Sequence, residues 1–116
     1  MISADDLAVD WIAAWNAHDL PLILSHYSDE VVFVSPASTR FTGDPTGRVV
    51  GKAALADYWQ RALERVPDLK FTLLAVYRGP ESVAIRYHSS RTGAEVVETL
   101  RFGPEGQVVE ASAYYE

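Results

Sequence analysis

One acidic residue in this sequence interrupts an apolar pattern. Within residues 94–102, Ala94, Val96, Glu98, Leu100 and Phe102 alternate with Glu95, Val97, Thr99 and Arg101. Alternation with period 2 marks a strand with one buried face and one wet face. The first set is the apolar one, so Glu98 falls on the core side. Burial disfavours a carboxylate and raises its pKa. A carboxyl group poised near neutrality can donate or accept a proton at working pH. The pattern leaves three placements open. A β-bulge between Val96 and Val97 would turn Glu98 to water. An indole or phenol donor would satisfy it as a structural group. Otherwise it faces a pocket and does acid–base work.

The aromatic residues come next. Trp11 and Trp15 lie on one helical stripe and Trp59 on another, with Tyr27 and Phe33 between them in chain order. Aromatics at helical spacing are ordinarily core. Taken together, they supply more buried donors than a core needs, and pockets combine apolar walls with a few polar tips. In the last strand Val109, Ala111, Ala113 and Tyr115 share the core face, against Glu110, Ser112 and Tyr114. The expected site is therefore Glu98 as the catalytic group, walled by Trp11, Trp15, Tyr27, Phe33, Trp59, Leu100, Ala113 and Tyr115. His18, His26 and His88 have no metal-ligand spacing, and no phosphate-cradling glycine loop or serine elbow occurs. No metal or other cofactor is expected.

Composition narrows the partners. The 116 residues fit one domain, 1–116, with 48% hydrophobic residues, enough for one core. The net charge of -6 argues against nucleic acid and anionic membrane surfaces. There are no cysteines, and acids stand near the N-terminus where a secretion signal needs Lys or Arg. No apolar run approaches the roughly 20 residues that span a bilayer. A cytoplasmic location is expected.

The elements that must position these residues read as follows. Ser3 and Asp6 cap a helix over about 4–17, with Leu7, Trp11, Ala14 and Trp15 on its buried face. Asp19 starts a second helix, with Pro21 in its first turn and Leu20, Ile23, Leu24 and Tyr27 as its stripe. Residues 30–35 form a strand ended by Pro36. Residues 36–50 read as a loop, either a lid or a passive surface segment, with a brief extended piece at 48–50. A third helix covers 52–65, striped by Leu55, Tyr58, Trp59, Ala62, Leu63 and Val66. Strands follow at 69–78, 82–90, 94–102 and 107–115, with breaks too short for anything but antiparallel neighbours. Val83, Ile85 and Tyr87 point inward, and Leu74 and Val76 lie on the outer side. Helices followed by a meander make an α+β pattern. Strands this long must coil, and the concave side can wrap the helices.

The segments WIAAWNAHDLPLILSHYSDEVVFVSP, GKAALADYWQRAL and VVETLRFGPEGQVVEASAYY together resemble the nuclear transport factor 2-like superfamily, in particular its SnoaL-like and ketosteroid isomerase-like branch. The resemblance covers essentially the whole chain. It implies a cone-shaped curved antiparallel sheet around N-terminal helices, a cystatin-like α+β barrel with one internal pocket. It also implies a small apolar ligand and a homodimer formed through the outer sheet face. The family's isomerases carry a tyrosine on the first helix where this chain has Trp11. Their catalytic aspartate precedes a proline at the end of the first strand, where this chain has Ser35 before Pro36. Their second, protonated aspartate corresponds to Glu98, before Thr99-Leu100-Arg101-Phe102, and a supporting tyrosine corresponds to Trp59. Ser35 thus joins the pocket residues, although an unaided hydroxyl is no general base. The implied activity is acid–base chemistry of isomerase, cyclase, hydratase or hydrolase type through Glu98. The alternative is a non-catalytic binding or dimeric module.

Overall fold

A computed structural model describes residues 3–116. Helix α1 spans Ala4–Asn16 and begins where the Ser3 hydroxyl accepts the Asp6 N–H at 3.1 Å. Its apolar stripe of Leu7, Ala8, Trp11, Ile12, Ala14 and Trp15 is buried. Asp19 caps α2, Leu20–Leu24, through the Leu22 N–H at 3.2 Å. Strand β1 follows at Tyr27–Val34, then a 3-10 turn at Pro36–Ser38 and the short helix α3 at Thr39–Thr42. Strand β2, Arg48–Val50, leads into α4, Lys52–Arg65. Four strands complete the chain: β3 Phe71–Gly79, β4 Ser82–Ser89, β5 Ala94–Phe102 and β6 Val108–Tyr115.

The strands form one sheet in the order β2-β1-β6-β5-β4-β3. The pairs from β3 to β6 are antiparallel, as their short connections demand, and β1 runs parallel to β6. That parallel pair joins the first and last strands and brings the helices onto the inner face. The fold is the mixed α+β architecture expected, with a curved open sheet around α1 and α4.

Three placements differ from the sequence reading. Tyr27 opens β1 instead of closing the stripe of α2. On β3, Leu73 pairs with Tyr87 and Ala75 with Arg86, so Leu74 is the extra residue of a bulge. Beyond the bulge Val76 pairs with Ile85, turns inward and packs on the core, leaving only Leu74 of that pair outside. On β6 a second bulge sets Phe102 opposite Val108 and Arg101 opposite Glu110. Val108, fully buried, therefore replaces Val109 on the core face. One extra residue in a strand reverses its facing beyond that point.

The segment between β1 and β2 is tied at its neck. The Ser35 N–H donates to the Gly47 carbonyl at 3.0 Å. The buried Ser38 hydroxyl reaches both the Ser35 and Gly47 carbonyls. Gly47 has φ +70°, and a Cβ there would lie 2.2 Å from the Ser35 oxygen, so only glycine closes this neck. Above it Phe41 of α3 rests on Tyr58 with ring centroids 5.1 Å apart. The segment is thus a short folded loop seated on α4.

Helix α1 is locked to the sheet by a side chain that imitates a strand partner. Asn16 Oδ1 accepts the Phe71 N–H at 2.7 Å, and Asn16 Nδ2 donates to the Phe71 carbonyl at 2.9 Å. An Asn16→Ala substitution leaves both backbone groups without partners. The expected loss is about 1–3 kcal/mol, read by urea denaturation. An unchanged midpoint would mean that water substitutes freely for the amide.

Candidate functional site

The site is built on the inner face of β5. Glu98 sits between Val96 and Leu100 and pairs across the sheet with Ile85 and Ala113. No bulge falls at Val96 and Val97, so the alternation holds and Glu98 points into the cone, 5% exposed. Tyr87 stands one step diagonally away, opposite Val96. Diagonal neighbours on one sheet face lie within reach of long side chains. The Tyr87 O–H donates to Glu98 Oε1 at 2.7 Å. Glu98 Oε2 is buried and has no hydrogen-bond partner among the described residues.

Burial pushes the Glu98 carboxyl up to about 7, with the Tyr87 bond working in the opposite direction. Loss of hydration outweighs one hydrogen bond, because a carboxylate in apolar surroundings needs two or three donors to stay ionised. The charge of Glu98 also reaches the phenols around it. Tyr27 and Tyr87 are raised first by burial and then by Glu98. Tyr58 is pushed up to about 12, mainly by burial, with Tyr115 adding and Arg91 opposing.

The aromatic residues pack against one another behind this group. Trp11, fully buried, donates its indole N–H to the Tyr27 hydroxyl at 2.9 Å and lies 5.5 Å from the Tyr87 ring. Trp15 and Trp59 meet edge to face at 4.9 Å, and Trp59 also meets Tyr27 and Phe33 at 5.2 and 5.4 Å. The Trp15 indole N–H has no partner among the described residues. Leu100 is buried one step along β5, and Ala113 presents only a methyl group opposite Glu98. Ser35 is buried at the end of β1, where its hydroxyl caps the 3-10 turn through the Ala37 N–H. The same hydroxyl meets the Tyr115 hydroxyl at 3.2 Å. Tyr115 is 37% exposed and forms part of the rim.

Two residues absent from the expected site belong to it. Tyr87 was legible as an inward residue of its strand, but its reach to Glu98 depends on the register between two strands. Tyr58 was legible on the stripe of α4, yet its nearness to Ser35 and Tyr115 depends on the β1–β6 pairing. Two surface pockets, of about 530 and 550 Å³, lie elsewhere. One is at the Asn16–His18 corner beside Pro67–Lys70, and the other is between the 36–46 segment and the outer side of β1 and β6. Neither is lined by Glu98. Among the described residues no cluster of His, Cys, Asp or Glu is arranged to hold a metal ion. No helix among them is long and apolar enough to cross a membrane.

With this geometry in place the relatives can be named. Residues 8–113 match the model of the SnoaL-like domain, and the chain belongs to that family. A SnoaL-like protein of unknown function from Burkholderia thailandensis is 43% identical, with a TM-score of 0.94 over 97% of this chain and 93% of its own. IdmH of Streptomyces antibioticus, a proposed polyketide cyclase, is 17% identical, with a TM-score of 0.79 over 99% of this chain and 93% of its own. A protein of ketosteroid isomerase-like fold from Catenulispora acidiphila, in complex with trimethylamine, is 17% identical, with a TM-score of 0.75 over 98% of this chain and 88% of its own. The last two share the fold. No curated protein matches the chain by sequence.

The raised carboxyl carries a stability signature. The native chain keeps a proton on Glu98 between about 4.5 and 7, where the unfolded chain has released it. This group's contribution therefore favours folding at low pH and is lost as pH rises through about 7, by roughly 3 kcal/mol. A Glu98→Gln variant lacks the titration, so it gains on the parent chain as pH rises. Denaturant curves across that range measure the gap, and a gap constant with pH would mean that the acid titrates normally.

Proposed function

We propose that this chain binds a small apolar molecule inside the cone and that Glu98 exchanges a proton with it. The supporting observation is the carboxyl itself, held through Oε1 by Tyr87 with Oε2 unpartnered. An acid near 7 is available in both protonation states at neutral pH, which suits a donor or a base. The reaction types that fit are isomerisation, cyclisation, hydration, dehydration or hydrolysis at a carbonyl- or epoxide-bearing carbon. The aromatic walls, Trp11, Trp15, Tyr27, Phe33 and Trp59, supply apolar contact, with Leu100 and Ala113 beside the acid. The proposed entry is at Tyr115, the partly exposed residue on this face. The proposed polyketide cyclase that shares this fold supports small-molecule chemistry by analogy alone. A reducing cytoplasm suits a chain without cysteine.

The test is Glu98→Gln, which keeps shape and removes the proton. Turnover of an identified substrate is expected to fall by about a hundredfold or more with binding retained. Turnover within about threefold of the parent chain would exclude the acid–base role. Binding of apolar ligands without product would favour a carrier or sensor.

A second reading concerns assembly. The outer sheet face carries Ala75, Val97 and Tyr114 in one cross-strand row with Arg86, and Tyr77, Ala84, Thr99 and Ser112 in the next. Tyr77 and Tyr114 are more than half exposed, and Leu74 is 44% exposed beside them. We propose that two copies associate through this face. Sedimentation at micromolar concentration is expected to give a dimer, and a Tyr114→Glu variant a monomer. A monomeric parent chain would sink this reading.

A further inference from the structure

The rim of the cone holds an arginine that meets no carboxylate among the described residues. Lys52, Arg61, Arg78, Arg86 and Arg101 each meet a carboxylate. Arg40, Arg48, Arg65, Lys70 and Arg91 meet none among the described residues, and of these Arg91, in the turn between β4 and β5, is the one set over an aromatic ring. Its guanidinium lies 5.4 Å from the centre of the Tyr115 ring. Stacking over an aromatic face fixes a guanidinium's direction while leaving its edge donors free. The Tyr115 hydroxyl in turn meets Ser35, so cation, phenol and buried hydroxyl stand in series from solvent inward.

Exposed arginines are usually just solvated, and this one differs in what lies behind it. Tyr115 is two residues along β6 from Ala113, the partner of Glu98. Two strand residues span roughly 7 Å. Arg91 thus guards the end of the cone toward which Glu98 and Tyr115 share a face. Its field also reaches the Tyr58 hydroxyl, where it lowers the pKa against the effect of burial. The Tyr115 hydroxyl, on the ring beneath the guanidinium, and the Tyr58 hydroxyl, within its field, are the donors available to an anion there.

We infer that the ligand of the Glu98 site carries a carboxylate, received at the rim by Arg91 with Tyr115 and Tyr58, while its apolar body extends toward Glu98. This rests on the pocket reading above and adds a substrate class to it. The arrangement sorts ligands by shape and charge together. An apolar acid of the right length is held at both ends, whereas a neutral analogue is held only by its body.

The experiment is calorimetric titration with hydrocinnamate and with hydrocinnamamide, which match in shape and differ in charge. The parent chain is expected to prefer the acid by about tenfold, the value of one charge-assisted hydrogen bond pair at a partly wet site. An Arg91→Gln variant should lose that preference while keeping its affinity for the amide. An Arg40→Gln variant, altered on the outer loop, should keep it. Added salt should weaken the acid alone. Equal binding of acid and amide, or a preference that survives Arg91→Gln, overturns the inference and leaves the pocket reading standing. Failure of both probes to bind the parent chain at about millimolar concentration overturns both. Thermal melting of each variant guards against misfolding, since Arg91 and Arg40 are exposed and contribute no buried packing.

Discussion

The structure turns on a carboxyl group that must be inside. Glu98 occupies a position where the curved sheet closes over α1 and α4, and an ionised acid in such surroundings costs several kcal/mol. The chain meets this constraint with one donor and a shift in protonation. Tyr87 satisfies Oε1, and burial keeps a proton on the group up to about neutrality. The neighbours then follow. Phenols surround the acid because a phenol brings an apolar ring with a single polar tip, and Trp11 orients the hydroxyl of Tyr27 with its indole N–H. A slip of one residue along β5 would place Glu98 outside and Thr99 or Val97 inside, so the register of this strand and the chemistry of the site are one specification.

Much of the architecture was legible because it is local. The helices declare themselves through Ser3 and Asp19 caps and through stripes at helical spacing. The β5 alternation is unbroken, which is why Glu98 could be picked out from one strand alone. The misread residues share a different cause. Val76 and Val109 lie beyond or within bulges, and a bulge is decided by the partner strand as much as by the strand that carries it. Tyr27 was assigned to α2 because its spacing suits a helix, yet Val108 of the last strand claims it for β1. That pairing joins residues about eighty positions apart, and no local period encodes it.

The candidate site was half legible for the same reason. Glu98 and the aromatic stripes are properties of single elements. The contact that tunes Glu98 crosses from β4 to β5 on a diagonal, and the contact between Ser35 and Tyr115 joins the ends of β1 and β6. The resemblance to isomerases pointed to Trp11 and Ser35 as positions where the expected oxygen groups had changed. The structure supplies a physical reason why the site stays polar. Ser35 spends its hydroxyl on the turn that opens the 36–47 segment, while the donor to the acid is Tyr87 of the adjacent β4, with the Tyr27 phenol of β1 held by Trp11.

Exposure then orders the site from rim to interior. Arg91 is in water, Tyr115 is partly wet, and Ser35 and Glu98 are dry. A fixed charge is tolerable at the first station and costly at the last, so an anionic ligand group and a protonated acid belong at opposite ends. A carboxylate at the rim would offset Arg91, whose positive field otherwise lowers the pKa of the Tyr58 phenol. The protonated form that burial favours at Glu98 is the one able to donate a proton to a carbonyl or epoxide oxygen lying beside Oε2, so charge recognition belongs to the wet end and proton transfer to the dry one.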